Sequence, residues 1–299
     1  MSDYLVRGVT KDGEFRFTAS TTRDIVEEGR RRHDTRSGST KVLGEALTAV
    51  SLLHTQLKGD EKISLQITSD GLVSTLLTDV DAAGNVRGFI SNPNVYAELP
   101  DAPAGPPPFG MQGLIIVIRS TPTEVKSRGT VPLTTGEVAQ DVANYLTTSE
   151  QVHSALALDV SFEEDRARSV HSAGGILLQA LPGADKEKFL AYRRVLSDPH
   201  LHGRMFFEGS RPEDAVETLM NAVEHESPYE ILDRHELKFQ CQCSREKVAD
   251  SLRMLGKDDL AKMRDEDGHA EVICRFCNEK YVLDRAELGV LMATLDVKN

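Results

Sequence analysis

The residues best suited to chemistry are four cysteines near the carboxyl end of the chain. They form two close pairs, Cys241-Gln242-Cys243 and Cys274-Arg275-Phe276-Cys277, and the chain has 4 cysteines in all. Isolated cysteines are usually inert core residues. Four that occur as two close pairs favour a structural site with four thiolate ligands instead, with zinc–sulfur bonds of about 2.3 Å. The sequence therefore predicts one tetrahedral Zn²⁺ held by Cys241, Cys243, Cys274 and Cys277.

The first pair is closer in sequence than the C-x2-C pairs of ordinary zinc modules. If residues 239–244 are extended, Cys241 and Cys243 point to the same side and can share one metal. The same two sulfurs could also form a disulfide in a very small ring, which would be strained and easily reduced. The pair therefore suits a reversible switch better than a permanent cross-link.

These cysteine motifs resemble those of the heat shock protein 33 family, the redox-switched bacterial holdases. The likeness covers nearly the whole chain and is carried by residues 57–60, 86–89 with Asn92-Pro93, 146–151, 154–158, 239–245 and 271–278 with Tyr281. Two departures lie in the amino-terminal part. His153 stands where the family would have proline, and Asp70-Gly71-Leu72-Val73 stands where it would have a glycine-proline variant.

The resemblance implies an ATP-independent holdase that is inactive while it is reduced and zinc-bound, and that is not an enzyme. It implies that oxidation joins neighbouring cysteines, in Cys241–Cys243 and Cys274–Cys277 disulfides, and releases the zinc. The switch and the linker then unfold, and the exposed apolar surface binds unfolded client proteins. The oxidised, active form is expected to be a homodimer.

The strand and helix patterns indicate an α+β protein with three parts. Residues 1–184 contain strands and a few helices without regular βαβ repeats, which predicts an antiparallel-sheet core with packed helices. The resemblance implies that this core is the client-binding domain. Residues 185–240 carry eight basic and twelve acidic side chains. Their short amphipathic helices should be marginal alone, so we interpret them as a metastable linker, with an ordinary interdomain linker as the alternative. Residues 241–299 are the zinc-binding redox-switch domain, too small to fold robustly without metal.

Several local predictions can be compared with the structure. The sequence predicts a β-hairpin turn at Lys11-Asp12-Gly13, a basic loop at Arg30–His33, a helix over Ser39–Leu57 and a proline-rich surface loop at Pro100–Pro108. It also predicts a capping box in which Thr134 caps a helix and Glu137 reaches back.

Charge and hydropathy limit the partners. The formal net charge is −12, and residues 241–299 carry ten basic and twelve acidic side chains. Nucleic-acid binding normally needs a basic surface, so a zinc-ribbon nucleic-acid-binding protein is the disfavoured alternative. Apolar runs are too short to span a membrane, and the start of the chain does not resemble a secretory signal. We therefore expect a cytoplasmic protein without membrane or nucleic-acid partners.

A dithiol oxidoreductase that uses Cys274 and Cys277 is a further alternative. In thioredoxin-like enzymes such a motif lies near a βαβ pattern. Here a strand is predicted after the motif, and a second thiol pair competes for the metal. Ser149, His153, Ser154 and His171 lack the glycine-flanked elbow of a serine nucleophile, so we predict no catalytic residues.

Overall fold

The computed structural model describes residues 2–95, 107–110, 112–163, 166–207, 209–223 and 228–296. The chain forms two compact units, Met1–Gln240 and Cys241–Asn299. In the first unit the strands are β1 (Tyr4–Thr10), β2 (Phe15–Thr21), β3 (Lys62–Ser69), β4 (Thr75–Asp81), β5 (Asn85–Ile90), β6 (Gly113–Ser120), β7 (Val125–Pro132), β8 (Ser154–Glu163), β9 (Arg166–Ala180), β10 (Tyr229–Glu236) and β11 (Lys238–Phe239). Its helices are α1 (Arg23–His33), α2 (Ser37–Leu52), α3 (Val138–Thr148), α4 (Lys186–Leu196), α5 (Pro199–Met205) and α6 (Pro212–Val223).

Two sheets form the frame of the first unit. One has the strand order β10-β1-β2-β9-β8, and the other has the order β11-β5-β4-β3-β6-β7. All neighbouring strands are antiparallel except β11 and β5, which are parallel. The predicted α+β class and the antiparallel sheets are confirmed.

Helix α2 contacts strands of both sheets, and it is buried around most of its circumference. Such a helix must be apolar or small on nearly every side, as Val42, Leu43 and Leu47 illustrate. Gly44 shows how close the packing is. A Cβ atom there would lie 2.7 Å from Val26 Cγ1 and 2.9 Å from Val160 Cγ2, so any side chain would push α2 away from α1 and β8.

Residues 185–223 form a helical layer on the other face of the five-stranded sheet. Asp185 caps α4 by accepting a hydrogen bond from the Lys188 amide at 2.8 Å. Tyr192 is fully buried with its ring edge-on to Phe15 of β2, at a centroid distance of 5.2 Å. Strand β10 then extends the same sheet beside β1, and β11 pairs with β5. The described residues between 185 and 240 are thus packed in this structure, and the metastability of this segment stays a prediction.

The hairpin prediction at Lys11-Asp12-Gly13 is confirmed, because β1 and β2 pair on either side of it. The predicted helix over Ser39–Leu57 corresponds to α2 followed by a 3₁₀ turn at Leu53–Gln56. Most of the predicted proline-rich loop, residues 100–106, lies outside the described residues.

The predicted basic loop at Arg30–His33 is wrong, because these residues are the last turn of α1. Ile25, Val26 and Gly29 form the buried side of that helix. The guanidinium of Arg30 pairs with Glu27, and those of Arg31 and Arg32 pair with Glu28. Ion pairs at helical spacing, and basic residues at a helix carboxyl end, both favour the helix.

The predicted capping box at Thr134 is also wrong. Helix α3 begins after Glu137, and no side chain caps it from that position. The carboxylate of Asp141 accepts hydrogen bonds from the amides of Thr134, Thr135 and Gly136 at 2.7, 3.1 and 2.8 Å, and from the Thr134 hydroxyl at 2.6 Å. A buried carboxylate with four donors thus holds the entry to the helix.

The second unit contains helices α7 (Arg245–Arg253), α8 (Lys257–Lys262) and α9 (Arg285–Asp296), a π-helical turn at Met263–Asp267, and strands β12 (His269–Ile273) and β13 (Lys280–Asp284). Its small core is built from Val248, Leu252, Leu260, Ala270, Leu283, Leu288, Leu291 and Met292. Asp284 and Glu287 form a capping box at α9, since each carboxylate accepts the other residue's amide at 2.9 Å.

Candidate metal centre

The loop between β12 and β13 positions the second cysteine pair. The two strands pair up to Ile273 and Lys280, so residues 274–279 must reverse the chain. The amide of Cys274 donates to the Glu279 carbonyl at 2.9 Å, and the amide of Asn278 donates to the Cys274 carbonyl at 2.8 Å. Asn278 has a left-handed backbone with φ 58, a conformation that asparagine tolerates better than most residues. This tight turn holds Cys274 and Cys277 in one knuckle.

The start of α7 positions the first cysteine pair. Ser244 lies at the N-cap, and its side chain accepts a hydrogen bond from the Lys247 amide at 3.3 Å. The ammonium group of Lys247 donates to the Gln242 carbonyl at 2.7 Å. The Arg245 guanidinium binds both carboxylate oxygens of Glu287 at 2.7 Å. These contacts fix the segment that carries Cys241 and Cys243 within the second unit.

The four cysteine sulfurs form one cluster. All four lie within 4.8 Å of one another, with Cys241 3.7 Å from Cys274 and Cys243 3.3 Å from Cys277. Four sulfurs at about 2.3 Å from a central zinc ion would be about 3.8 Å apart, so the cluster matches that spacing. In the part of the chain that the structure describes, it is the one group of three or more His, Cys, Asp or Glu able to hold a metal.

The chemistry of the donors fits a structural zinc ion. Thiolate sulfur is a soft ligand that selects zinc among the common divalent metals of cells, and four protein ligands leave no open position for a substrate. The structure thus brings together all four residues of the predicted metal site. Their role as ligands and the identity of the ion stay predictions.

The four cysteines differ in burial and in hydrogen bonding. Cys277 is 3% exposed, whereas the other three cysteines are half-buried. Burial raises the pKa of the Cys274 and Cys277 thiols, although backbone amides of Phe276 and Glu279 donate to the two sulfurs and oppose that rise. A bound cation would oppose this rise and stabilise the thiolate forms of Cys274 and Cys277.

Tyr281 contacts the cysteine cluster, although the sequence alone predicted no role for this residue. Its hydroxyl donates a hydrogen bond to Cys243 Sγ at 3.1 Å. This contact with the sulfur raises the pKa of Tyr281. The sequence signal is its place early in β13, four residues after Cys277, where the strand leaves the knuckle.

The surroundings of Cys274 and Cys277 differ from a thioredoxin-like site. The motif is followed by β13, which pairs antiparallel with β12 in a two-stranded sheet. The βαβ surroundings of a dithiol oxidoreductase do not occur around it in the described residues of the second unit. None of the helices described combines the length and apolar character needed to cross a bilayer.

Comparisons with known proteins cover both compact units. A family model described as "Hsp33 protein" matches residues 3–284. Proteins named "33 kDa chaperonin" are similar along their whole length. The one from Desulforamulus reducens is 36% identical over 303 residues, covering 100% of both chains. The one from Bacillus subtilis is 34% identical over 288 residues, covering 96% of this chain and 97% of the relative.

A solved structure gives the same result at the level of the fold. The crystal structure of a 33 kDa chaperonin from Thermotoga maritima, titled a heat shock protein 33 homolog, matches with a TM-score of 0.82. The two sequences are 28% identical, and the match covers 100% of both chains. The similarity therefore extends over the sheets of the first unit and the cysteine knuckle of the second.

Proposed function

The chain belongs to the Hsp33 protein family, and we propose that this chaperone is a redox-regulated, ATP-independent holdase. The observation that carries the redox part of the proposal is the meeting of all four cysteine sulfurs within 4.8 Å. Metal-held thiolates combine a structural cross-link with reactivity toward oxidants. One set of residues can therefore both stabilise the second unit and sense oxidation.

In the reduced state, Cys241, Cys243, Cys274 and Cys277 hold one Zn²⁺. The bound ion would keep the four thiols ionised and tie the start of the second unit to its knuckle. The residues around the cluster fix its geometry. Ser244 caps α7, Tyr281 donates to Cys243, and backbone amides of the knuckle donate to Cys274 and Cys277. The chaperone is inactive in this state.

Oxidation converts neighbouring thiolates into Cys241–Cys243 and Cys274–Cys277 disulfides. Disulfide sulfurs are poor ligands, so the cysteines release the metal and the second unit loses its cross-link. Structural zinc contributes on the order of 10–16 kcal/mol to the folding of small zinc peptides. Among the described residues, the apolar core of the second unit has eight buried side chains, too few to replace that contribution.

Residues 185–240 transmit the change to the rest of the first unit. Strand β11 ends at Phe239, two residues before Cys241 along the chain. When the residues after 240 unfold, the chain that follows β10 and β11 is therefore no longer held in a fixed position. Release of the α4–α6 layer would uncover apolar side chains such as Phe15, Phe17 and Ile176. Exposed apolar surface of this kind binds unfolded client proteins.

The remaining parts of the proposal concern partners and location. We place the protein in the cytoplasm, where thiols stay reduced until an oxidant appears. The oxidised form is a homodimer, and it does not bind nucleic acid, because the net charge of −12 repels phosphates.

One experiment tests sensing and activity together. The zinc-loaded chain is exposed to hydrogen peroxide at raised temperature, while released zinc is followed with a chromophoric chelator. In parallel, suppression of the aggregation of an unrelated, thermally unfolded protein is followed by light scattering. Zinc release and suppression should appear together and reverse together on reduction. Peroxide that expels zinc without producing any holdase activity would contradict the proposed coupling.

A further inference from the structure

Tyr281 gives one sulfur of the cluster a hydrogen-bond donor that comes from a side chain. Its hydroxyl lies 3.1 Å from Cys243 Sγ, and the residue is half-buried in β13. The donors of Cys274 and Cys277 named above are backbone amides, which belong to the fold of the knuckle itself. The Tyr281 hydroxyl can be removed by substitution while the backbone stays in place.

Cys243 also differs from Cys277 in how oxidants reach it. Cys277 is 3% exposed, so burial itself keeps solutes from its sulfur. Cys243 is half-buried and therefore reachable by a small peroxide. Its protection must come from its bonding partners, since the protein surface does not cover it.

We propose that the Tyr281 hydroxyl restrains the oxidation of Cys243 and so helps to set the oxidant threshold of the switch. Tyr281 is a positioning residue that acts through the sulfur of Cys243. The inference rests on the proposed function, because it concerns the oxidation of the same four cysteines. It adds a residue outside the ligand set that tunes their reactivity.

The chemical step shows where the hydroxyl acts. A cysteine thiolate attacks one oxygen of a hydroperoxide, the O–O bond breaks, and hydroxide leaves as the sulfur becomes a sulfenic acid. A second thiolate then attacks that sulfur, a disulfide forms, and a second hydroxide leaves. Two thiolates lose two electrons in total, the peroxide gains them, and both hydroxides take up protons to give water.

A hydrogen bond to the attacking sulfur opposes the first of these steps. The O–H dipole stabilises the negative thiolate, and it occupies a lone pair that would otherwise attack the peroxide. A disulfide sulfur is neutral and a weak acceptor, so the stabilisation is largely lost in the product. Tyr281 therefore stabilises the reduced state relative to the oxidised one. Hydrogen bonds to sulfur similarly help to set the reduction potentials of iron–sulfur clusters.

The test compares three full-length, zinc-loaded proteins: wild type, Tyr281→Phe, and the matched control Tyr145→Phe, which removes a hydroxyl from α3 of the first unit. Each is mixed with hydrogen peroxide, and zinc release and free thiols are followed in time. Loss of a hydrogen-bond partner of a metal ligand typically changes metal affinity or activity on the order of 10-fold or more. We therefore expect zinc release from Tyr281→Phe to be about 10-fold faster. Tyr145→Phe should match the wild type.

Two further measurements separate the hydroxyl from simple packing. Tyr281→Leu loses both ring and hydroxyl, so it should oxidise at the same rate as Tyr281→Phe if the hydroxyl is responsible. In cobalt-substituted proteins, the sulfur-to-metal charge-transfer band should lie at lower energy in Tyr281→Phe than in the wild type. A packing defect alone would leave the band unchanged.

The outcomes distinguish this inference from the proposed function. If Tyr281→Phe is oxidised less than about 2-fold faster than the wild type, or more slowly, the role of Tyr281 is refuted and the switch stands. A faster rate confined to Tyr281→Leu, or loss of metal from Tyr281→Phe without oxidant, assigns the residue to packing and also refutes it. If the wild type itself releases no zinc with peroxide, the proposed function fails.

Discussion

The sulfur of Cys243 lies 3.3 Å from the sulfur of Cys277, although the two residues are 34 positions apart in the chain. The contact joins the segment before α7 to the knuckle between β12 and β13. Helices α7 and α8 and strand β12 lie in the stretch that this contact closes. A cross-link at this point therefore restrains more than half of the second unit.

Removal of one sulfur should abolish the cross-link. We expect Cys277→Ser to bind less than one zinc ion per chain and to unfold its second unit at a lower temperature, because a buried hydroxyl cannot replace a thiolate ligand. Zinc content and thermal unfolding measure the two effects. Chelation of zinc from the wild type should reproduce the unfolding, and a Cys277→Ser protein with full, tightly bound zinc would contradict the predicted ligand set.

The Ser244 cap should matter for the stability of the second unit. Ser244→Ala removes the acceptor of the Lys247 amide, which lies 3.3 Å away. Loss of an N-cap costs about 1 kcal/mol, so the second unit should unfold at a lower temperature. Ser244→Asn is the matched control, since asparagine caps helices equally well. Equal stability of the alanine and asparagine variants would show that the cap is dispensable.

The helical layer of residues 185–223 should control how easily the chaperone becomes active. Leu219 of α6 is fully buried against the five-stranded sheet. Leu219→Ala should destabilise this packing by about 2–5 kcal/mol. Holdase activity should then appear at a lower temperature or lower peroxide concentration, measured as suppression of client aggregation.

The control for this variant is an equal deletion elsewhere in the first unit. Leu65 of β3 is fully buried in the cluster that also contains α2. Leu65→Ala should lower overall stability without lowering the peroxide concentration needed for activity. If both variants activate alike, general destabilisation explains the effect and the helical layer has no special role.

Asp3 should make the first unit less stable as the pH rises. Its carboxylate accepts a hydrogen bond from the Ile25 amide at 2.8 Å, at the start of α1. Burial nevertheless raises the pKa of Asp3 from 3.8 to about 7. Between these two values the folded protein holds a proton that the unfolded chain has lost, so the free energy of unfolding falls with increasing pH.

Asp3→Asn tests this sign, because the amide keeps an oxygen acceptor but cannot ionise. Between pH 5 and pH 8 the wild type should lose roughly 3 kcal/mol of unfolding free energy more than the variant. Denaturant titrations of both proteins at the two pH values measure the difference, in which other titrating groups cancel. A variant with the same pH dependence as the wild type would show that Asp3 is ionised in both states.

The parts of the protein that sequence could predict are those encoded locally. The cysteine spacing indicated one cluster, and the sulfurs do meet. Asp-Gly between two alternating stretches predicted the β1–β2 hairpin. The neighbouring residues there contain the turn chemistry that fixes the element.

The parts that sequence missed depend on distant partners. Strand β10 alternates only between half-buried and exposed residues, and β7 is mostly exposed, so the burial pattern of either strand is weak. They are strands because β1 and β6 offer unpaired backbone groups beside them. The loop that leads into α3 was also missed, since the Asp141 carboxylate that holds residues 134–136 reaches back from within the helix.

The pairing of β1 with β10 has a consequence for how the protein is made. Tyr4 lies opposite Glu236, so β1 leaves the ribosome well before the strand that covers this edge. Until then, one edge of β1 stays open in the nascent chain. The emerging protein therefore passes through a stage in which backbone groups of β1 are unpaired, as they are in other incompletely folded proteins.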